Sequence, residues 1–247
     1  MTPLGPSGAA DIDVHDDFPR WGLGDVALGI VAAQLLSAIG VVLLYSAAGW
    51  SSGDDVPIWA SGVLQIPLWA GLAGVVVWAA RTKGHGVRAD FGLWMRWTDA
   101  PLGILIGVGI QLLLLPLVYL PVLSLLGKDA DDLSKPAREL SDRADGSFGW
   151  IVLAVMVVIC APVVEELFYR GLVLRSLDKR GLATWVSVLC SAALFAAVHF
   201  QPLQFVGLLV LGLVLAAMTE RQQRLGLAIW THAAFNATTV VTLYLSR

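Results

Sequence analysis

Residues 100–127, APLGILIGVGIQLLLLPLVYLPVLSLLG, run for 28 positions without a charged side chain. As a helix this stretch would be ~42 Å long, more than the ~30 Å hydrocarbon core of a bilayer. Working outward, residues 26–53, 56–80, 147–164, 181–198 and 200–219 are equally free of charge, and 225–246 holds one ionisable candidate, His232. The runs are continuously apolar rather than alternating with period two, which excludes a membrane β-barrel. The expectation is an all-α, polytopic transmembrane helical bundle of about seven spans. Composition agrees: 57% of the 247 residues are hydrophobic, only 14% are charged, and mean hydropathy is +0.75, against about 25% charged residues in a soluble domain.

The net charge of −3 leaves no basic patch for nucleic acid, and the partner expected from composition is the lipid bilayer. Cys160 and Cys190 lie in apolar runs with no metal-type spacing and read as small buried hydrophobes. Residues 1–22 mix Pro, Gly, Ser and four aspartates without a basic n-region, and read as a disordered tail. Residues 23–147 then form N-terminal spans and 148–247 a second, C-terminal set. With the N-terminus inside, inner segments carry ten Lys and Arg residues outside the spans and outer segments five. That bias predicts a multi-pass cell-membrane protein with a cytoplasmic N-terminus. The loop 128–147 carries six acids against four bases. Residues 88–98, with Phe91, Trp94 and Trp97, read as a short interfacial helix, and Gly103-xxx-Gly107 permits close helix packing.

Ionisable side chains at membrane depth are costly and signal function. Here they cluster in three strings: Glu165-Glu166-Leu167-Phe168-Tyr169-Arg170-Gly171, Phe195-Ala196-Ala197-Val198-His199, and His232-Ala233-Ala234-Phe235-Asn236. The chain has four glutamates and four histidines, half of each in these strings, and Asn236 is its single asparagine. Adjacent helical residues diverge by about 100°, so Glu165 and Glu166 are expected to face different ways. Glu166 and Arg170, four apart, suit an ion pair, which leaves Glu165 to face a cavity with the histidines. His232 and Asn236, also four apart, can offer donors to a developing oxyanion. A carboxylate with a histidine can deprotonate water for attack on a carbonyl. Glu165, His199 and His232 are equally candidates for three zinc ligands with water in the fourth position. Phe195 reads as packing. A purely structural ion pair and helix-to-helix hydrogen bonding are the plain alternatives for the charged residues. A non-enzymatic scaffold and a proton-coupled transporter are the alternative functions, the latter disfavoured by the absence of a visible repeat.

In this order and on successive apolar segments, the strings resemble the CAAX prenyl protease and bacteriocin-processing (CPBP, or Abi) family, whose pattern is EExxxR, FxxxH and HxxxN. The resemblance covers residues 148–246, with every motif position matched. It implies that 148–247 is the catalytic core of an intramembrane endopeptidase that takes peptide or protein substrates at the membrane, and in which Glu165 and His199 activate the hydrolytic water. His232 and Asn236 would hold the oxyanion or order that water, and Glu166 and Arg170 would support the site. The family is catalogued as metallo-type, yet related enzymes are also argued to work through glutamate alone, so both a zinc-dependent and a metal-free mechanism stay open. Relatives linked to bacteriocin self-immunity, or acting as scaffolds, supply the non-enzymatic alternative. One depth conflict follows. If the span bearing Glu165 ends near Leu174, Glu165 lies ~14 Å and His199 ~25 Å from the inner side; a kink at Pro162 or a strong tilt of the next span is expected to reconcile them.

Overall fold

The computed structural model describes residues 18–51 and 53–247, which fold into nine helices with no strand among them. They are α1 (Leu23–Ala48), α2 (Ile58–Lys83), α3 (Val87–Phe91), α4 (Asp99–Leu126), α5 (Ala130–Asp142), α6 (Gly146–Asp178), α7 (Thr184–Ala197), α8 (Phe205–Gln222) and α9 (Gly226–Leu245). The chain is an all-α polytopic bundle. Five helices, α1, α2, α4, α6 and α8, are long and apolar enough to cross a membrane. The other two expected crossings fall on shorter or more polar helices. α7 has 14 residues, and the 20-residue α9 carries His232, Asn236 and threonines at 231, 238, 239 and 242.

α6 is the central post. It touches α1, α2, α3, α7, α8 and α9, and every residue from Glu166 to Leu174 is buried. Two stretches of α6, Val155–Cys160 and Glu166–Leu174, are wound as π-helix, with Ala161–Glu165, including Pro162, as α-helix between them. Such wide turns are rare and concentrate at functional sites. α4 has one as well, over Ile110–Leu114.

Small residues set the closest approaches. A Cβ on Gly71 would strike the backbone of Ala33, which locks α2 against α1. A Cβ on Gly107 would meet Phe235 N at 2.8 Å and the Ala234 Cβ at 2.9 Å, and one on Gly103 would meet the backbone of Trp230 and Thr231. The Gly103-xxx-Gly107 pair therefore sets α4 directly on α9, as such spacing allows.

The inner and outer segments assigned from charge gather at opposite ends of the bundle. At one end Arg224 pairs with Asp99, both almost fully buried, Lys83 pairs with Asp25 at 2.5 Å, and Arg175 donates to the Gln223 carbonyl at 3.0 Å. At the other, Arg247 reaches Asp142 and the Ser141 carbonyl.

Three local expectations are revised. Of the segment read as a disordered tail, residues 1–17 lie outside the described residues, while 18–22 are tied down. Lys179 Nζ donates to the carbonyls of Pro19 (2.5 Å) and Trp21 (2.7 Å), and buried Trp21 packs on Phe91 with ring centroids 4.8 Å apart. The loop 128–147 contains a helix, α5. Its N-cap Asp129 accepts from Asp132 N at 2.9 Å, and the Asp132 carboxylate accepts from Asp129 N, a capping box. The interfacial helix is shorter than 88–98, because Gly92 ends it in a left-handed conformation (φ 68°). Phe91 is fully buried, whereas Trp97 is 87% exposed and keeps the position suited to an interface.

Gly107→Ala is expected to lower stability by about 1–3 kcal/mol through overpacking against α9. Gly109→Ala, with nothing within 4 Å, should be neutral or stabilising. Thermal unfolding of the two variants in detergent checks this, and equal melting temperatures would refute the close α4–α9 contact.

Candidate active site

The three polar strings fall on α6, on the C-terminal end of α7, and on α9. Glu166 and Arg170 are both fully buried, and Arg170 Nη1 donates to Glu166 Oε1 at 2.8 Å. The expected ion pair is formed. Its charges have further partners: Arg170 Nη2 donates to the Gly212 carbonyl of α8 at 3.2 Å, and the guanidinium sits 4.5 Å over the Phe195 ring. His232 Nδ1 also meets Glu166 Oε1, at 2.9 Å. One carboxylate oxygen thus gathers a guanidinium from its own helix and an imidazole from α9. Paired and hydrogen-bonded in this way, the charges can stay dry.

Glu165 does not turn away from this group. Its Oε2 lies 3.8 Å from His232 Nε2, beyond hydrogen-bond distance. The two adjacent carboxylates therefore flank opposite nitrogens of a single imidazole, contrary to the expectation from a 100° turn. The backbone at both acids is ordinary right-handed helix, and the two side chains meet the same ring because His232 projects into the space between them. Exposure separates the two acids: the Glu165 side chain is 20% accessible and Glu166 is wholly enclosed.

Tautomers follow from the partners. A carbonyl only accepts, so His199 Nδ1, 2.7 Å from the Phe195 carbonyl, carries the proton and leaves Nε2 as the acceptor. By the same reasoning His232 Nδ1 donates to the arginine-paired Glu166, so its Nε2 is the nitrogen turned toward Glu165. The Phe195 ring lies edge-on to both imidazoles, 4.8 Å from His199 and 5.7 Å from His232 between centroids, and to Tyr169 at 5.4 Å. Phe195 is packing, as expected, and it spaces the two histidines.

The depth conflict of His199 has a simpler resolution than a kink at Pro162 or a strong tilt. α6 continues to Asp178, so Glu165 lies thirteen residues from its end (178 − 165), or ~20 Å. α7 begins only at Thr184, fifteen residues before His199 (199 − 184), or ~22 Å. Ser191 Oγ donating to the Tyr169 carbonyl at 2.9 Å fixes that register.

Asn236 is placed differently from expectation. Its Nδ2 donates to the Val157 carbonyl at 2.8 Å, in the first π stretch of α6. One amide hydrogen thus ties α9 to α6, and the other has no hydrogen-bond partner among the described residues. No sequence signal marks a backbone carbonyl as the partner, nor the Gly212 carbonyl that receives Arg170.

The zinc reading meets a geometric obstacle. The histidine tautomers are those of metal ligands. Yet among the described residues no three His, Cys, Asp or Glu side chains converge closely enough to hold a metal ion. Glu165, His199 and His232 as arranged do not fit a three-ligand site.

Residues 147–238 match the protein-family model described as "Rce1-like: Type II CAAX prenyl endopeptidase Rce1-like", an interval that starts with α6 and contains Glu165, Glu166, Arg170, His199, His232 and Asn236. Over this segment the chain is similar to the type II CAAX prenyl endopeptidase family. No curated protein and no solved structure matches the chain. The matched segment is the part that holds the polar groups of the three strings described above, while α1, α2 and α4 pack around it.

Arg170→Met should destabilise the protein by about 3–5 kcal/mol, because it leaves Glu166 buried without its counter-charge. The double variant Glu166→Gln/Arg170→Met should recover much of that loss. A double-mutant cycle on unfolding in detergent measures the coupling, and additive effects would show that the pair is not what holds the site.

Proposed function

We propose that this protein is an intramembrane endopeptidase that hydrolyses peptide bonds of membrane-associated substrates with a water activated by Glu165 and His199. The observation that carries this reading is the division between two neighbouring acids. Glu166 is sealed and committed to Arg170 and His232, while Glu165, beside the same imidazole, is accessible.

In the proposed step a water lies against Glu165 and the free Nε2 of His199. Glu165 takes a proton as the water oxygen attacks the carbonyl carbon. The remaining amide hydrogen of Asn236 stabilises the oxyanion, and the Nε2 of His232 helps to order the attacking water. The tetrahedral intermediate then collapses, the C–N bond breaks, and Glu165 returns the proton to the leaving amine. Glu166 and Arg170 act as positioning residues: they hold the His232 ring and keep its Nδ1 protonated. The metallo assignment of the wider family is not used in any step. The proposed setting is the cell membrane with the N-terminus in the cytoplasm, following the positive-charge bias.

The test is reconstitution in phospholipid vesicles with a library of fluorogenic peptides. Glu165→Gln is expected to reduce hydrolysis by at least ~100-fold with an unchanged melting temperature, and His199→Ala to do likewise. Activity that persists undiminished in Glu165→Gln would overturn the assignment. A cellular phenotype that survives the same substitution would point to a scaffold. Retained activity in the presence of a strong chelator separates metal-free hydrolysis from zinc-dependent hydrolysis.

A further inference from the structure

Beyond Gly107, α4 parts from α9 and a cavity of about 560 Å³ opens between them, closed on its other sides by α5, the 201–204 segment and the start of α8. Its walls are leucine-rich and carry no charged side chain. Its α9 wall includes Phe235 and Thr239, on either side of Asn236 in the sequence, and its loop wall includes Gln201, two residues after His199. Two side-chain amides stand out on these walls. Gln111 sits in the π-turn of α4 with its Oε1 buried and unpartnered, and Gln201 makes no side-chain hydrogen bond to a described residue. Unpaired amides at membrane depth are costly. By contrast Gln204, on the same wall, has a partner in the Leu133 carbonyl at 2.7 Å.

The geometry points to this cavity as the substrate-segment site of the proposed peptidase: it takes an uncharged, apolar stretch of peptide in extended form, with Gln111 and Gln201 hydrogen-bonding its backbone. An extended peptide inside a membrane has unpaired N–H and C=O groups, and these are what an unpartnered carboxamide can satisfy. An acyl chain would fill the leucine-lined volume and leave both glutamines unpaired. The absence of charge on the walls selects against Asp, Glu, Lys and Arg in the bound stretch. This inference rests on the peptidase reading for its biological meaning, yet the site is defined by binding and can be tested without turnover.

The probe is an uncharged, end-capped Leu/Ala peptide too short to span the bilayer as a helix, with a central benzophenone side chain, in vesicles containing full-length protein. Both wild type and the Glu165→Gln variant are labelled, so that loss of hydrolysis and loss of binding are read separately. Adducts are expected on the cavity walls of α4 or α9 in both proteins. Gln111→Leu should reduce labelling about fivefold, as loss of a hydrogen bond or two implies, and Leu115→Trp should block it by filling the volume. Placing one Lys beside the benzophenone should weaken labelling in wild type. Labelling elsewhere, labelling unaffected by Gln111→Leu, or displacement of the peptide by a benzophenone-bearing phospholipid that labels Gln111→Leu as well as wild type would each overturn the proposal. Adducts in the cavity without peptide hydrolysis would sustain this site and remove the peptidase reading.

Discussion

A single buried carboxylate oxygen, Glu166 Oε1, organises the protein. It accepts from Arg170 one turn further along α6 and from His232 on α9, and Arg170 in turn reaches the Gly212 carbonyl of α8 and the Phe195 ring of α7. Four helices are therefore joined through one ion pair. Between apolar helices in lipid there is little hydrophobic preference for one rotation or one depth over another. Polar contacts that can be satisfied in only one arrangement supply that preference. A hydrophobic replacement of equal volume could leave the bundle as stable, but it would not fix the relative depth of α6, α7, α8 and α9.

The same helix sets two acids of different exposure beside one imidazole. Both have ordinary right-handed helical backbone, and the ring of His232 enters between their side chains, so that Glu166 Oε1 lies 2.9 Å from Nδ1 and Glu165 Oε2 lies 3.8 Å from Nε2. The imidazole is oriented from behind by a dry acid and faces an accessible one in front. Two carboxylates in such different environments are the arrangement in which acid and base duties can be divided, which is what the proposed mechanism uses. The π stretch at Val155–Cys160 contributes as well, since its Val157 carbonyl is the anchor of Asn236.

Much of this was legible in the sequence, and the parts that were not share a cause. Charge-free runs fix helix positions because nothing else crosses a bilayer, and three polar strings on such runs identify α6, α7 and α9 as the site. The Glu166–Arg170 pair is readable because helical spacing alone brings residues four apart together. What stayed hidden depends on backbone: the π-turns, the carbonyls of Val157 and Gly212 as partners, and the extension of α6 to Asp178 that levels His199 with Glu165. A helix that is apolar on all faces has no periodicity from which to read facing, so the convergence of both acids on His232 could not be seen. α5 was hidden for a different reason, because its Asp-rich start looks like a loop until Asp129 and Asp132 are recognised as reciprocal caps.

The same backbone control links the cavity to the reactive histidine. Tyr119, on the cavity wall of α4, donates its hydroxyl proton to the Leu203 carbonyl at 3.1 Å and accepts from Gly207 N at 2.9 Å. Leu203 lies near the end of the connection that follows His199, and Gly207 in the first turn of α8. At the start of that connection Phe200 has φ 52°, a left-handed conformation that a bulky residue adopts only when its surroundings impose it. The connection is thus held from the cavity side by Tyr119 and, through Gln204, by the Leu133 carbonyl of α5. In the proposed reading a segment lodged between α4 and α9 would press on the wall that sets the position of His199. Occupancy of the cavity and placement of that imidazole would then be one mechanical problem, set by the divergence of α4 from α9 past Gly107.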